Sequence, residues 1–587
     1  MVPVSHFVGD KLLVGAFAVA FASGLSQAEA FSGQCGLDPH FMHIPSVILQ
    51  ALAFVLCLMQ LVGARKQSTS STLYIQFAIV AIFGMVTIMT QGWNIPVCDI
   101  LLIEAGILSL VGWNDTVGKL LITNVLFSTA LSKYMNMDCD GSWMSFSSLK
   151  SDALNQPFPF TPVWHIAQLP SVIVEGLSVL IVLSEVILPF VLLFAKKSSG
   201  MESASSMGII GLGLFYALIG NFNWAILILL SWVIRYVPDD ICILILGKNT
   251  FARWGLESVK LHEDTAEAKL VQSLLASAKL SVVFLVLTIA VKYVARNDIS
   301  NWVEVATPYK SVISACLWAV VVYVIRNIGK SKFKHGILVA ALLVLSRTEF
   351  VSLLSFSQIG PLVDYSSLPT CYTFHANSEG FPVHSKRGRA GFLFQTKYTQ
   401  LGTNTIGSDL GGTKYAELSV PGSVHADEQR PPFLLGHLPR LALTIWKMGT
   451  SNEKNIQEGL ILMDRLANIV REGGDGMKVF FANTPDFIIA AHIGKTNQIQ
   501  GFYQDFTVTS RAADHQWWKR SYDNVSALPS SHMSLPAVRT RCSIVVPPKV
   551  FDVPLELILI MIVLGVVCAK LLFSSNKTSR DIKKKQK

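Results

Sequence analysis

Four polar residues fall where the surrounding sequence is apolar enough to lie in a bilayer. Asp99 and Glu104 flank Ile100-Leu101-Leu102-Ile103 and are followed by Ala105-Gly106; Glu185 lies inside the apolar run 171–195 together with Pro189; Asn221 belongs to Gly220-Asn221-Phe222-Asn223, which interrupts 207–236. A charged side chain at the centre of a bilayer costs about 2.5–3.5 kcal/mol on insertion scales, so each such group needs a partner. Two readings follow. Asp99 and Glu104 are structural, bonded to Trp or Ser on a neighbouring helix, or they build a polar site facing the interior of a helix bundle. Discontinuous helices can line a substrate path, so the break at Asn221 keeps a transporter reading open.

A second set of residues lies outside the apolar runs. The segment 132–170 carries Trp143, then Gln156-Pro157, then Trp164-His165 before Pro170; aromatics and prolines of this kind anchor a loop at the headgroup layer, and a lone His165 is ordinarily structural. Further on come Pro431-Pro432, His437, Pro439-Arg440-Leu441 and Trp446, and then Gln516-Trp517-Trp518-Lys519-Arg520. A guanidinium such as Arg440 holds a carboxylate or backbone carbonyls through two parallel bonds, which Lys cannot reproduce. Trp517 and Trp518 beside Lys519 and Arg520 form either an exposed client-binding feature or buried tryptophans with solvated charges. No P-loop, no G-x-S-x-G nucleophile elbow and no Cys/His spacing suited to zinc occurs, so no cofactor or metal is expected.

The elements that must position these residues follow from composition. Of 587 residues 51% are hydrophobic and only 15% are charged. Roughly 25% is usual in a soluble domain, so this chain needs lipid around it. Its net charge of +9 falls in clusters beside apolar runs, as the positive-inside rule arranges it, and suits lipid headgroups better than nucleic acid. Membrane-length runs lie near 11–29, 45–63, 73–91, 97–112, 118–134, 171–195, 273–292, 309–326, 336–357 and 551–573. The interrupted run 207–236 fits a broken helix or tight hairpin. Ala28-Glu29-Ala30 resembles a signal-peptide cleavage site, but the segment before it is weakly basic, and retention of residues 1–30 is the better reading.

Counting the hairpin, Arg65-Lys66, Lys196-Lys197, Lys248 to Lys260, Arg326 to Lys334 and the tail from Lys577 all fall on one side, taken as cytosolic with the N-terminus. Residues 30–44, 135–170 and 358–550 then face a lumen, carrying Cys35, Cys139, Cys371 and Cys542, with Cys98 at the edge. Cys371 and Cys542 bracket the large soluble segment and are the candidate disulfide of an oxidising compartment. The expected organisation is therefore a multispanning bundle over 1–357 with a luminal loop 135–170, a luminal α+β or β-rich domain over 358–550, a last transmembrane helix at 551–573 and a basic tail at 574–587. Within the domain, strands are expected at 391–398, 415–420, 478–490 and 502–509, and a helix at 454–471. Asn524-Val525-Ser526 is a usable glycosylation sequon there, whereas Asn576 should stay bare. The C-terminal Lys584-Lys585-Gln586-Lys587 resembles a dilysine retrieval signal of endoplasmic-reticulum membrane proteins, read by coat machinery.

In sequence order, Trp93 with Asp99 to Gly106, Trp143 with Gln156-Pro157, Glu185 with Pro189, Gly220-Asn221, Pro439-Arg440-Leu441 and Trp517-Trp518 with Arg520 together resemble the lipase maturation factor family. The chain departs from that pattern at Asp152-Ala153-Leu154-Asn155 and Ala442-Leu443, as a divergent member would. The resemblance implies a non-enzymatic, chaperone-like protein of the endoplasmic reticulum membrane that assists folding and assembly of secreted lipases or other luminal glycoproteins. Beside it stand a transporter built around Asp99, Glu104, Glu185 and Asn221, and a membrane-embedded transferase or carboxylase-like enzyme.

Overall fold

A computed structural model describes residues 3–33, 43–62, 69–90, 97–111, 113–135, 165–166, 168–219 and 223–247, four strands between 389 and 527, and the single positions 149, 271 and 466. Among the described residues up to 247 the elements are all helical: α1 Val4–Ser32, α2 His43–Val62, α3 Thr69–Thr90, α4 Val97–Val111, α5 Asp115–Met135, α6 Ser171–Phe194, α7 Gly200–Ile219, α8 Asn223–Val233, a short 3-10 turn Ile234–Tyr236 and α9 Asp239–Leu246. The helix starts carry local signals. Asn114 caps α5, its Oδ1 accepting the N–H groups of Thr116 and Val117 at 3.0 and 3.2 Å. Ser199 and Glu202 form a capping box at α7: the Ser199 hydroxyl accepts the Glu202 N–H, and the Glu202 carboxylate accepts the Ser198 N–H at 2.6 Å.

Four of these helices are long and apolar enough to cross a membrane, within Val4–Ala30, His43–Val62, Ser171–Phe194 and Gly200–Leu218, and α3, α4 and α8 contribute shorter apolar stretches. The distribution of polarity on α2 identifies the solvent. Its buried side is Ser46, Gln50, Ala53, Cys57 and Gln60, at spacings of four and three. The opposite stripe of Ile44, Ile48, Leu52, Val55, Met59 and Val62 is exposed, Val62 to 82%. A helix on a water-soluble protein shows the reverse arrangement. The inward polar groups are bonded, Gln50 to Ser46 and Gln60 to the Thr72 carbonyl of α3. On α7, likewise, Ser203, Ser205 and Ser206 are buried while Met201, Leu214 and Leu218 are exposed. Apolar outside and polar inside is the pattern lipid selects.

Neighbours α1 and α2, and α5 and α6, run antiparallel, Lys11 near the start of α1 reaching the end of α2 and Lys119 near the start of α5 reaching the end of α6. Helix α1 is the hub, packing on α2, α3, α4, α8, the 3-10 turn and α9. Its Phe17 and Phe21 meet Phe83 of α3 edge to face, at 5.6 and 5.4 Å. Gly9 lets α1 touch the end of α8, since a Cβ there would lie 2.6 Å from the Ser231 carbonyl oxygen. The interrupted run resolves into two helices, with Gly213 of α7 beside Leu229 and Leu230 of α8, so the chain reverses between them as a hairpin. The core includes Leu102, Ile103, Ile107, Trp224 and Trp232, all essentially inaccessible.

The remaining described elements form one antiparallel sheet, β1 Arg389–Thr399, β2 Thr413–Leu418, β3 Ile499–Val508 and β4 Trp518–Ala527, in the order β2-β1-β3-β4. Strands β1 and β3 pair along most of their length, from Arg389↔Phe506 to Thr396↔Ile499. Between β3 and β4 the register jumps from Gln504↔Val525 to Phe506↔Arg520, so Ser521 to Asn524 form a bulge opposite Asp505. Three expected strands thus appear, with shifted limits. The fourth, at 478–490, and the helix at 454–471, apart from the helical position Leu466, lie outside the described residues, as do the runs at 273–292, 309–326, 336–357 and 551–573.

Candidate functional site

Asp99, Glu104 and Glu185 are buried at 0%, 1% and 0% exposure. Asp99 stands in the first turn of α4, where the helix dipole favours a carboxylate. One residue earlier, the Cys98 carbonyl accepts the indole N–H of Trp224 at 3.1 Å, tying α4 to α8. Glu185 of α6 accepts a hydrogen bond from the Tyr216 hydroxyl of α7. Four residues on, Pro189 has no N–H to offer the Glu185 carbonyl, and the Pro189 carbonyl itself accepts from Thr123 of α5 at 3.1 Å. Glu185 is thus bonded across to the neighbouring helix α7.

At the end of the bundle carrying the N-terminus of α1, a second polar centre joins several elements. The Lys119 ammonium of α5 lies 2.7 Å from the Glu202 carboxylate of α7, with side chains only 8% and 6% exposed. It also donates to the Ala195 carbonyl just beyond α6 at 3.0 Å and sits 5.4 Å from the Tyr236 ring. Arg235 is 3% exposed and reaches Asp10 of α1 at 2.6 Å; it also bonds the Ser231 carbonyl and stacks 4.3 Å from the Trp113 ring. Tyr236 donates to the Asp115 carbonyl at 2.8 Å, and Ser5 N–H to Asp239 at 2.8 Å. At the exposed rim Lys197 reaches Asp115 at 2.7 Å, and that bond holds its ammonium above the ordinary lysine value.

Chemically, this second centre is a clasp. Each buried cation has a carboxylate, at least one backbone carbonyl and an aromatic face around it, which is what a buried ion needs to survive desolvation. The Lys119–Glu202 pair caps both sides of one turn: Lys119 takes the carbonyl at the end of α6, and Glu202 takes the Ser198 N–H at the start of α7. Ser198 in that turn has φ +60°, the left-handed region a serine adopts only when its surroundings hold it there. Among the described residues no group of three His, Cys, Asp or Glu side chains is arranged to hold a metal.

Other expected site residues are distributed as follows. His165 is exposed, just before α6. Cys98 is half-buried in the first turn of α4. Trp518, Arg520 and Asn524 belong to β4, where Trp518 pairs with Val508 and Arg520 with Phe506. Asn221, Trp143, Gln156, Pro157, His437, Pro439, Arg440, Leu441, Trp446, Trp517, Cys371, Cys542, Lys584 and Lys585 lie outside the described residues. Sequence reasoning missed Asp10, Asp115, Lys119, Glu202, Tyr216 and Arg235. The available signal was charge next to or within an apolar run, as in Gly118-Lys119-Leu120 and Ile234-Arg235-Tyr236.

These features define a multi-helix membrane protein whose buried polar groups tie helices distant in sequence. The chain matches no family model, no curated protein and no solved structure.

Proposed function

We propose that this chain is a maturation factor of the endoplasmic reticulum membrane, a non-enzymatic protein that assists folding and assembly of secreted lipases or related luminal glycoproteins. The observation that carries the proposal is where the ordered landmarks fall. The Asp99 to Gly106 element belongs to a buried helix, and Glu185 and Pro189 meet Tyr216 and Thr123. The tryptophan-basic motif leads into the outer strand of the sheet. In this reading the clasp end faces the cytosol, since Lys196 and Lys197 lie beside it, and the sheet belongs to a luminal domain spanning 358–550. Asn524 carries a glycan, Lys584 and Lys585 return the protein from later compartments, and no cofactor is needed.

The test is recovery of clients. Tagged full-length chain, isolated after mild crosslinking, should enrich secreted lipases whose glycans are still sensitive to endoglycosidase H, and removal of 358–550 should lose them. Equal recovery with an unrelated multispanning protein of the same membrane would overturn the proposal. The buried carboxylates favour a second reading, a transporter, which requires solute uptake by proteoliposomes holding the purified chain.

A further inference from the structure

We infer that the ends of α1 and α2 form a proton-operated joint, in which a proton taken up by His43 ties the last turn of α1 to the start of α2. Three side chains meet there. The His43 Nδ1 lies 2.9 Å from the Ser32 hydroxyl, and its Nε2 lies 3.1 Å from a Glu29 carboxylate oxygen. Ser32 also donates to the Ala28 carbonyl one turn back in α1, at 3.1 Å. Gly33 leaves room for this arrangement, because a Cβ there would collide with the Glu29 carboxylate.

Counting hydrogens identifies the state that the geometry fits. A hydroxyl has one hydrogen to give, and a carboxylate only accepts. With the Ser32 hydrogen on the Ala28 carbonyl, Nδ1 must donate to Ser32 and Nε2 must donate to Glu29. All three contacts are hydrogen bonds only when both ring nitrogens carry hydrogen. A neutral His43 keeps two of them, Nε2 donating to Glu29 while the Ser32 hydroxyl turns from Ala28 to Nδ1. Proton uptake therefore completes the set and turns the His43–Glu29 contact into an ion pair between two helices.

The surroundings leave that pair in control. Among the described residues, α2 and α3 carry no charged or titratable side chain near this end besides His43, and α1 carries none between Lys11 and Glu29; Asp38 and His40 of the connecting segment lie outside the described residues. The helix dipoles oppose one another here, since the end of α1 favours a cation and the start of α2 disfavours it, so the Glu29 charge decides the sign. Ser32 is buried, the His43 side chain is 18% exposed and Glu29 is 62% exposed, so the joint has a wet rim through which a proton arrives. The inference rests on this geometry and not on the proposed function. In the orientation read above, this end faces the lumen, and the joint tightens as its surroundings acidify through the range in which imidazoles change charge.

Hydrogen exchange of the full chain in lipid reports the joint, read by mass spectrometry on peptides covering the end of α1 and the start of α2 and corrected for the intrinsic pH dependence of exchange. Between about pH 7.5 and 5.5 wild-type protection there should rise by about two- to fivefold, the range of a partly exposed ion pair. Glu29→Gln keeps an acceptor and removes the charge from an exposed position, so it leaves the fold intact, and His43→Gln removes the titrating ring. In each variant the rise should vanish. Wild-type protection that stays flat or falls over this range, or a rise that persists in either variant, would overturn the joint.

Discussion

Replacing Lys119 by Met tests the clasp at its most buried bond. The change removes the cation 2.7 Å from Glu202 and leaves a carboxylate that is 6% exposed, hydrogen-bonded to the Ser198 N–H. Breaking one side of a buried pair costs about 3–5 kcal/mol, because the remaining charge keeps its desolvation penalty. For a bundle of this size that lowers the unfolding midpoint by on the order of 10 °C. Lys119→Met combined with Glu202→Leu removes both charges and should recover most of the loss, since apolar replacement of a whole buried pair is often neutral. A residue of about 1 kcal/mol should remain, because Glu202 also caps α7. Thermal unfolding of the detergent-solubilised chain, followed through the buried Trp224 and Trp232, reads each variant. A single variant within about 1 kcal/mol of wild type, or a double variant as unstable as the single, would refute the reasoning.

Lys197 is the contrasting case, because its side chain is 78% exposed and its partner Asp115 is partly so. The folded-state ammonium titrates above the unfolded 10.5, so its stabilisation is complete below that value and lost only as pH rises through the folded one. Lys197→Ala should therefore change stability by about 0.2–1 kcal/mol, with no pH dependence between roughly pH 6 and 9; unfolding midpoints across that range check it. Helix α1 should be retained in the mature protein, because removing it would strip Asp10 from Arg235 and Ser5 from Asp239; mass spectrometry should recover peptides N-terminal to Ala28. Gly9→Val should destabilise the bundle by about 1–3 kcal/mol in the same unfolding assay, because its Cβ would collide with the Ser231 carbonyl. Asn524→Gln should abolish the gel shift produced by enzymatic deglycosylation, and a shift arising from Asn576 instead would invert the proposed orientation.

Most helices were legible in the sequence because length and hydropathy are local properties. The run expected at 45–63 became His43–Val62, and that at 171–195 became Ser171–Phe194. Helix α1 begins earlier than the apolar run at 11–29, since Ser5, Asp10 and Lys11 look wet in sequence yet are bonded across helices, Lys11 to the Gln60 and Leu61 carbonyls. Glu185 stood out for the same local reason, as a charge within an apolar run. The clasp did not, because its partners come from remote places: Asp10 and Arg235 are separated by 225 positions, and no periodicity pairs them. Helix α9, only eight residues long, fell below any membrane-length window. Strand β4 was hidden because Lys519, Arg520, Asp523 and Asn524 break the alternation of apolar residues, and the register jump at Gln504/Phe506 shows that its pairing is irregular as well.

The central claim is tested most directly by the specific activity of a secreted lipase, measured as activity per unit of lipase protein in the medium and in cell extracts. Loss of this chain should lower that ratio while bulk secretion continues, and re-expression of the full chain should restore it. Unaltered lipase specific activity in cells lacking the chain would contradict the account.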